Sequence, residues 1–348
     1  MGAGATGSGA TGSVVAGAAG PPAGPYDADV LILALDRAEE TIAAIGSALA
    51  QTAVSRHVFV IDQGSRPEGL ARIADAIAAW SDVTLVSAGG NLGVAGGRNL
   101  AASLGHGRVI VALDNDAAFA DATTLARAVG VLDTAADLGA IGFRIVVDAT
   151  GLDDLASWGY PLALLPLAAE VFDATLFVGA GHAIRRAAWD AAGGYDPALF
   201  FCWEELDFCL RAIAAGWRVQ YRGDLVVRHK VSAERRVTWS GGRWYYSVRN
   251  RIHIARKWNA GWVELMPRMG AYIAKGLRNG MLWQTLLGIA AAVRMPIVKR
   301  QMPAAMRLYF ARHDLAHRGR WWTRVRREML ARLAVGSGKL GVSGGRLS

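Results

Sequence analysis

The sequence predicts an α/β fold built on a mostly parallel sheet, followed by a basic helical extension. Three observations carry this reading. Short apolar runs of strand length alternate with amphipathic helical patterns between residues 30 and 113, the signature of parallel strands covered by crossover helices. The 348 residues are 53% apolar and 19% charged, enough to bury a full core and unlike a disordered chain. The charge is also divided. Residues 1–229 hold 14 Lys and Arg against 25 Asp and Glu, whereas residues 230–348 hold 24 against 4. An acidic body joined to a basic tail points to two tasks, chemistry in one part and contact with an anionic partner in the other. Two cysteines, Cys202 and Cys209, exclude a disulfide scaffold and a zinc ribbon.

Residues 1–26 carry no charged side chain and are mostly Gly, Ala, Ser, Thr and Pro. They lack the basic start and continuous apolar core of a secretory signal, so a flexible, disordered leader is expected. Residues 30–35 read as the first strand, followed by a helix with Ile42, Ile45 and Leu49 on one face. Residues 58–61 are a second strand, ending in the turn-forming run Asp62-Gln63-Gly64-Ser65-Arg66-Pro67. Leu70, Ile73, Ile77 and Trp80 mark another amphipathic helix. Residues 83–86 and 109–113 are further strands, separated by a glycine-rich loop and a short helix. Ligands of parallel sheets bind beyond the carboxyl ends of the strands, and Asp36, Asp62 and Asp114 all stand there. Later in the acidic body, residues 140–147 and 176–180 read as strands. Residues 204–215 read as a helix with acids in its first turn, where the dipole favours them, stopped by Gly216. Residues 225–228 form a strand that delivers His229.

Four features can carry chemistry. Asp114-Asn115-Asp116 follows an apolar run, and carboxylates spaced i, i+2 at a strand end can face one hard divalent cation. A turn built from Asp and Asn explains the same residues. The run 89–99 fits neither G-x-G-x-x-G nor G-x-x-x-x-G-K-[ST]. Its glycines still let a backbone approach a pyrophosphate, whose charge Arg98 can meet; a plain loop with a solvated arginine is the other reading. Trp203-Glu204-Glu205 sets an aromatic beside two acids, one of which can serve as a general base or simply complement a helix start. His229 is compatible with either a ligand or a structural role.

Taken in order, these pieces resemble the family 2 glycosyltransferases, and within them the bacterial rhamnosyl- and galactofuranosyltransferase-like branch. The matching segments are residues 58–65, Asn91-Leu92-Gly93-Val94-Ala95-Gly96-Gly97-Arg98-Asn99, Asp114-Asn115-Asp116, Gly179-Ala180-Gly181, Gly193-Gly194-Tyr195-Asp196, residues 203–211 and His229, which together span about residues 28–258. The resemblance implies the GT-A fold, with a Rossmann-like nucleotide-sugar half at residues 27–116 and an acceptor half at residues 117–230. It implies a nucleotide-sugar donor and a Mn2+ or Mg2+ cofactor. Carried over by position, Asp62 takes the place of the acid that reads the nucleotide base, with Asp36 and Gly64 beside it at the donor site. Asn91, Gly93, Arg98 and Asn99 take the place of the loop lining that site. Asp114 and Asp116 correspond to the metal pair, Asp114 also facing the donor, and His229 to the histidine that completes the metal shell. Glu205 occupies the position of the catalytic base, and Trp203 and Glu204 that of the acceptor-side wall. Leu35-Asp36 departs from the usual Tyr-Asn pair, and Glu205 is one methylene longer than the usual Asp.

The basic tail, residues 231–333, adds an uncharged run at 279–293 between Arg278 and Arg294, 15 residues long and too short to span a bilayer. Trp239, Trp244, Tyr245, Tyr246, Trp258, Trp262, Trp283, Trp321 and Trp322 are interleaved with arginines. Aromatics and cations beside short apolar helices fit an anionic membrane surface. Nucleic acid explains the charge but not the apolar run, and no nucleic-acid motif is present. The expected protein is an inverting transferase, peripheral on the cytoplasmic face of a cell membrane, acting on a lipid-linked or glycan acceptor. Residues 334–348 are expected to form a flexible tail. A sugar nucleotidyltransferase would share the sheet and the acids without needing Glu205. A non-catalytic sugar- or lipid-binding protein would not need Asp114, Asp116, Glu205 and His229 all intact.

Overall fold

Runs of Val, Ile, Leu and Ala that are apolar at every position suit strands covered on both faces, and such runs form the centre of the sheet. A computed structural model of the chain describes residues 13–17, 20–230 and 240–319. The described residues divide into two compact units, those up to 230 together with 300–319, and 240–299.

The first unit contains one ten-stranded sheet. Its strands and helices run β1 (Ser13–Gly17), β2 (Ala28–Ala34), α1 (Ala38–Leu49), β3 (Arg56–Asp62), α2 (Pro67–Ile77), β4 (Val83–Ser87), α3 (Gly93–Leu104), β5 (Val109–Leu113), β6 (Ala117–Phe119), α4 (Thr124–Thr134), β7 (Leu138–Val147), β8 (Val171–Ala174), β9 (Gly181–Arg185), α5 (Arg186–Ala192), α6 (Glu204–Ala214) and β10 (Arg218–His229). The spatial order is β1-β4-β3-β2-β5-β9-β7-β10-β6, with β8 also on β10. Strands β4, β3, β2 and β5 are mutually parallel, and β9 is antiparallel to both β5 and β7. β10 is parallel to β7. The sheet is therefore mixed and mostly parallel, as the alternation of runs predicts. Val30, Ile32, Val58, Val60, Val111 and Leu113 form its buried centre.

Three expectations are corrected. Ser13–Gly17 form an edge strand antiparallel to β4, and Tyr26 is buried with its hydroxyl on Asp29, so these parts of residues 1–26 are not a loose leader; residues 1–12 and 18–19 lie outside the described residues. Residues 176–180 are not a strand. Their carbonyls serve side chains and a loop instead of a ladder: Val178 O faces His182 Nδ1 (3.1 Å), Gly179 O accepts from Arg98 (2.7 Å) and Ala180 O from Asp114 N (3.2 Å). The glycine-rich segment is helical from Gly93 onward. Gly97 permits this, because a Cβ there would approach Leu33 Cδ2 to 2.9 Å and Gln63 Oε1 to 3.0 Å.

The second unit holds α7 (Gly241–Lys257), α8 (Trp262–Arg278) and α9 (Leu282–Arg294) around Trp244, Val248, Ile252, Leu265, Met281 and Ile289. The Trp244 indole donates to Thr285 Oγ1 at 2.7 Å. The uncharged run 279–293 is interrupted before α9, and no described helix is long and apolar enough to cross a membrane. The chain then returns to the first unit through α10 (Ala304–His313). The Tyr309 hydroxyl accepts from Val219 N (3.1 Å) and sits within donating distance of Ala174 O (3.0 Å) and Val219 O (2.9 Å), where β8 and β10 pair. The single extension expected at 231–333 is thus divided between the units. Residues 231–239, 320–333 and the tail 334–348 lie outside the described residues, and Trp239, Trp321 and Trp322 with them.

Candidate active site

Strand geometry brings distant acids together. Asp114 follows the last residue of β5, and Ala117 N donates back to its carbonyl (3.0 Å), closing a tight turn through Asn115 and Asp116 into β6. β6 pairs antiparallel with the end of β10, His229 opposite Ala117. Lys230 N donates to Asp116 O at 2.7 Å, fixing the two segments to each other. Ligand atoms of Asp114, Asp116 and His229 consequently all lie within 4.8 Å of one another.

His229 is held from both sides. Its Nε2 is 3.2 Å from Asp116 Oδ1 and its Nδ1 is 3.1 Å from Asp154 Oδ2. Asp154 is itself fixed by Ala156 N (3.0 Å) and Ser157 Oγ (2.7 Å). Burial works against the Asp154 charge, but the bonds from His229, Ser157 and Ala156 outweigh it and hold the carboxyl at about 2. Burial would likewise depress His229; the bonds to Asp116 and Asp154, and the charges of Asp116 and Asp114, raise it instead to about 10. With Nδ1–H directed to Asp154, Nε2 is the nitrogen presented to the Asp pair. Arg37, in the left-handed conformation (φ 54°) at the start of α1, donates to Asp116 Oδ2 at 2.6 Å. It joins His229 in overcoming burial and keeps Asp116 below the usual carboxylate range. The sequence reading missed Asp154 and Arg37. Neither stands in a motif, although Arg37 directly follows the strand-end Asp36.

A second group lies beside the first. Arg98, on the second turn of α3, is only 3% exposed. Its Nη2 donates to Asp114 Oδ1 (3.0 Å) and Gly179 O (2.7 Å), and its Nη1 to Glu205 Oε1 (3.2 Å). Glu205 is the second residue of α6, which is entered through Phe200, Cys202 and Trp203, all at positive φ. Such backbone costs about 1–3 kcal/mol per residue and collects at functional sites. Burial pushes the Glu205 carboxyl up, and the Arg98 charge opposes it. Glu204 is more deeply buried, and its Oε2 has no hydrogen-bond partner among the described residues. Burial and the adjacent Glu205 raise Glu204 well above the usual range, so its charged form is the more disfavoured of the two. Glu204 is an interior group and not an open acceptor wall; Trp203 is half-buried at the helix entry.

The remaining expected donor residues stand at the same edge of the sheet, several already engaged. Asp62 is buried and accepts from Gly64 N and Ser65 N, both at 3.2 Å. Asp36 is half-buried and accepts from Arg66 N (3.0 Å). Asn91 Oδ1 accepts from Gly93 N (2.8 Å) at the start of α3. Gly93 has φ +71°, and a Cβ there would overlap Phe200 O. Asn99 uses both amide atoms on Tyr195, accepting from its N (2.9 Å) and donating to its O (2.8 Å). Asn99 therefore clamps the 193–196 turn rather than facing a donor.

Acids set at the carboxyl ends of a mixed sheet, with a helix-borne carboxylate beside them, can hold a cation and accept a proton. Residues 29–190 match the model of glycosyl transferase family 2. They form a family 2 glycosyltransferase domain. No protein of curated function matches the sequence. Among solved structures the chain is similar to the mannosyltransferase PcManGT from Pyrobaculum calidifontis in complex with GDP-Man and Mn2+, at 18% identity and a TM-score of 0.54 over 90% of this chain and 87% of that one. It is also similar to GalNAc-T7 with UDP, GalNAc and Mn2+ (16% identity, TM-score 0.59, 84% and 55%) and to S. aureus TarS 1–349 (15%, 0.53, 77% and 80%). At these identities the likeness concerns the fold, which is GT-A. The transferase thus has the architecture expected from its motifs.

The Asp154–His229 pair yields a first expectation. Asp154→Asn should weaken Mn2+ binding to the transferase by about 10–100-fold, the usual effect of removing the group behind a ligating histidine. Isothermal titration with MnCl2 measures this directly, and unchanged affinity would show that Asp154 only supports its loop.

Proposed function

We propose that the chain is a metal-dependent, inverting glycosyltransferase that moves a sugar from a nucleoside diphosphate sugar to a hydroxyl of a lipid-linked or polysaccharide acceptor at an anionic membrane surface. The observation that carries the reading is the pairing of two clusters. Asp114, Asp116 and His229 form a donor set, and Glu205 stands across Arg98 from Asp114. Two carboxylates and an imidazole nitrogen, its other nitrogen fixed by Asp154, suit Mn2+ or Mg2+. When bound, that ion supplies neutralising charge for a leaving diphosphate. The Mn2+ and nucleotide ligands of PcManGT and GalNAc-T7 support the same assignment.

The chain's own residues do the rest. Glu205 is the carboxylate suited to take the acceptor proton, since Glu204 is interior and burial disfavours its charge. A single base fits a single displacement, which inverts the anomeric carbon. Glu205→Gln should lower nucleotide-sugar turnover by roughly 10²–10⁴-fold while leaving nucleoside diphosphate affinity unchanged. Near-normal turnover would remove Glu205 from this role.

The membrane part rests on the second unit alone. On α8, Trp262, Val263, Met266, Ile273 and Leu277 are exposed and fall within an arc of about 100° at 100° per residue. Arg278 lies about 60° beyond it, and Trp283, Leu286 and Leu287 on α9 add exposed apolar area. An exposed apolar stripe in a strongly basic segment is the form of an interfacial helix. We expect the full chain to sediment with phosphatidylglycerol-containing vesicles and Val263→Asp/Leu277→Asp to reduce that binding about tenfold or more. Salt-sensitive binding to DNA with no vesicle binding would instead assign the basic surface to nucleic acid.

A further inference from the structure

Arg98 matches a donor-loop position in sequence, yet its guanidinium is buried and turned toward the protein. Its bonds go to Asp114, Glu205 and the Gly179 carbonyl. A donor phosphate could reach it only by displacing these partners from a group that is 3% exposed, and stripping a buried ion pair of one partner is unfavourable.

Two further features point the same way. The first is Gly179. It has no positive φ, so its backbone does not require glycine. What requires it is space: a Cβ would overlap Glu205 Oε1 and lie 3.6 Å from Arg98 Nη1. The missing side chain lets the carboxylate reach the guanidinium. The second is the anchoring of α3 on both sides of Arg98. Ala95 N donates to Phe200 O (3.3 Å), and Asn99 clamps Tyr195. The arginine therefore projects from a fixed base toward the same segment that leads into α6.

We infer that Arg98 is a positioning residue for Glu205, the cation that fixes the proposed base in place, rather than a ligand of the donor. The inference rests on the reading of Glu205 as the base. Arg98 opposes the burial that pushes the Glu205 carboxyl up. It also fixes the direction of Glu205, because a planar guanidinium sets geometry that a point charge does not. Its second bond, to Asp114, ties the base to the acid cluster from the opposite side.

The test is a pair of single variants, each combined with Glu205→Gln. Arg98→Lys keeps the charge but loses the fork, and Gly179→Ala displaces the Glu205 carboxylate without altering any charge. Turnover is read as nucleoside diphosphate release from UDP-, GDP- and dTDP-sugars with water as acceptor. Nucleotide affinity is read with UDP, GDP and dTDP plus Mn2+. Both variants should lower kcat by about 10²-fold, the scale of a misplaced reacting group, with nucleotide affinity unchanged. In the Glu205→Gln background neither should lower turnover further, because residues acting through one another are not additive. Loss of nucleotide affinity in Arg98→Lys, or losses that multiply in that background, would make Arg98 a donor ligand and overturn the inference. If Arg98→Lys fails to fold, Gly179→Ala decides alone: wild-type turnover overturns the inference. Near-normal turnover of Glu205→Gln by itself is a separate failure, that of the base, and removes the ground for both readings.

Discussion

Acids gathered within a few ångströms repel one another, and only cations placed between them let the group persist in a poorly hydrated site. This constraint organises the transferase. Asp114, Asp116, Asp154 and Glu205 are interleaved with Arg98, His229 and Arg37. At Glu204 burial and the adjacent Glu205 outweigh the Arg98 charge and push the carboxyl up. The carboxyl ends of β5 and β10, the β6 turn and the starts of α1 and α6 all deliver members of this alternating set. Gly179 and Gly93 are explained by it as well, since each leaves room for a segment that carries or supports a charged member.

The arrangement also separates two roles by burial. The Asp116 side chain is 18% exposed and Asp114 40%, open enough for a ligand. Arg98 and Glu204 are interior, and Glu205 stands between these extremes. On the proposed reading, a binding edge and a proton-accepting edge adjoin across one guanidinium.

Much of this was legible in the sequence. Continuous apolar runs predicted β2, β3, β4 and β5, and acids just past those runs marked the functional edge. Spacing alone placed Asp114 and Asp116 together and Glu205 at a helix start. What the sequence could not carry was the use of individual atoms. Asn99 and Asp62 are polar residues in the expected places, but their side chains close turns. Asp154 lies far from any motif and reaches His229 only because β7 and β10 are neighbours in the sheet. Composition grouped residues 300–319 with the basic tail, whereas the Tyr309 hydroxyl bonds to backbone groups of β8 and β10. Leu176 to Ala180 looked like a strand by hydropathy. Its carbonyls are taken by Arg98, His182 and Asp114, contacts that no local pattern encodes.

The central claim is that the acid cluster at the sheet edge binds a divalent ion together with a nucleoside diphosphate. Thermal denaturation of the full chain and of Asp116→Asn, with MnCl2 and each of UDP, GDP and dTDP, tests it most directly. The account predicts that the wild-type Tm rises by roughly 5 °C at a hundredfold excess over Kd, that the rise needs both the ion and a nucleotide, and that Asp116→Asn abolishes it. An equal rise in Asp116→Asn, or no rise with any of the three nucleotides, would contradict it.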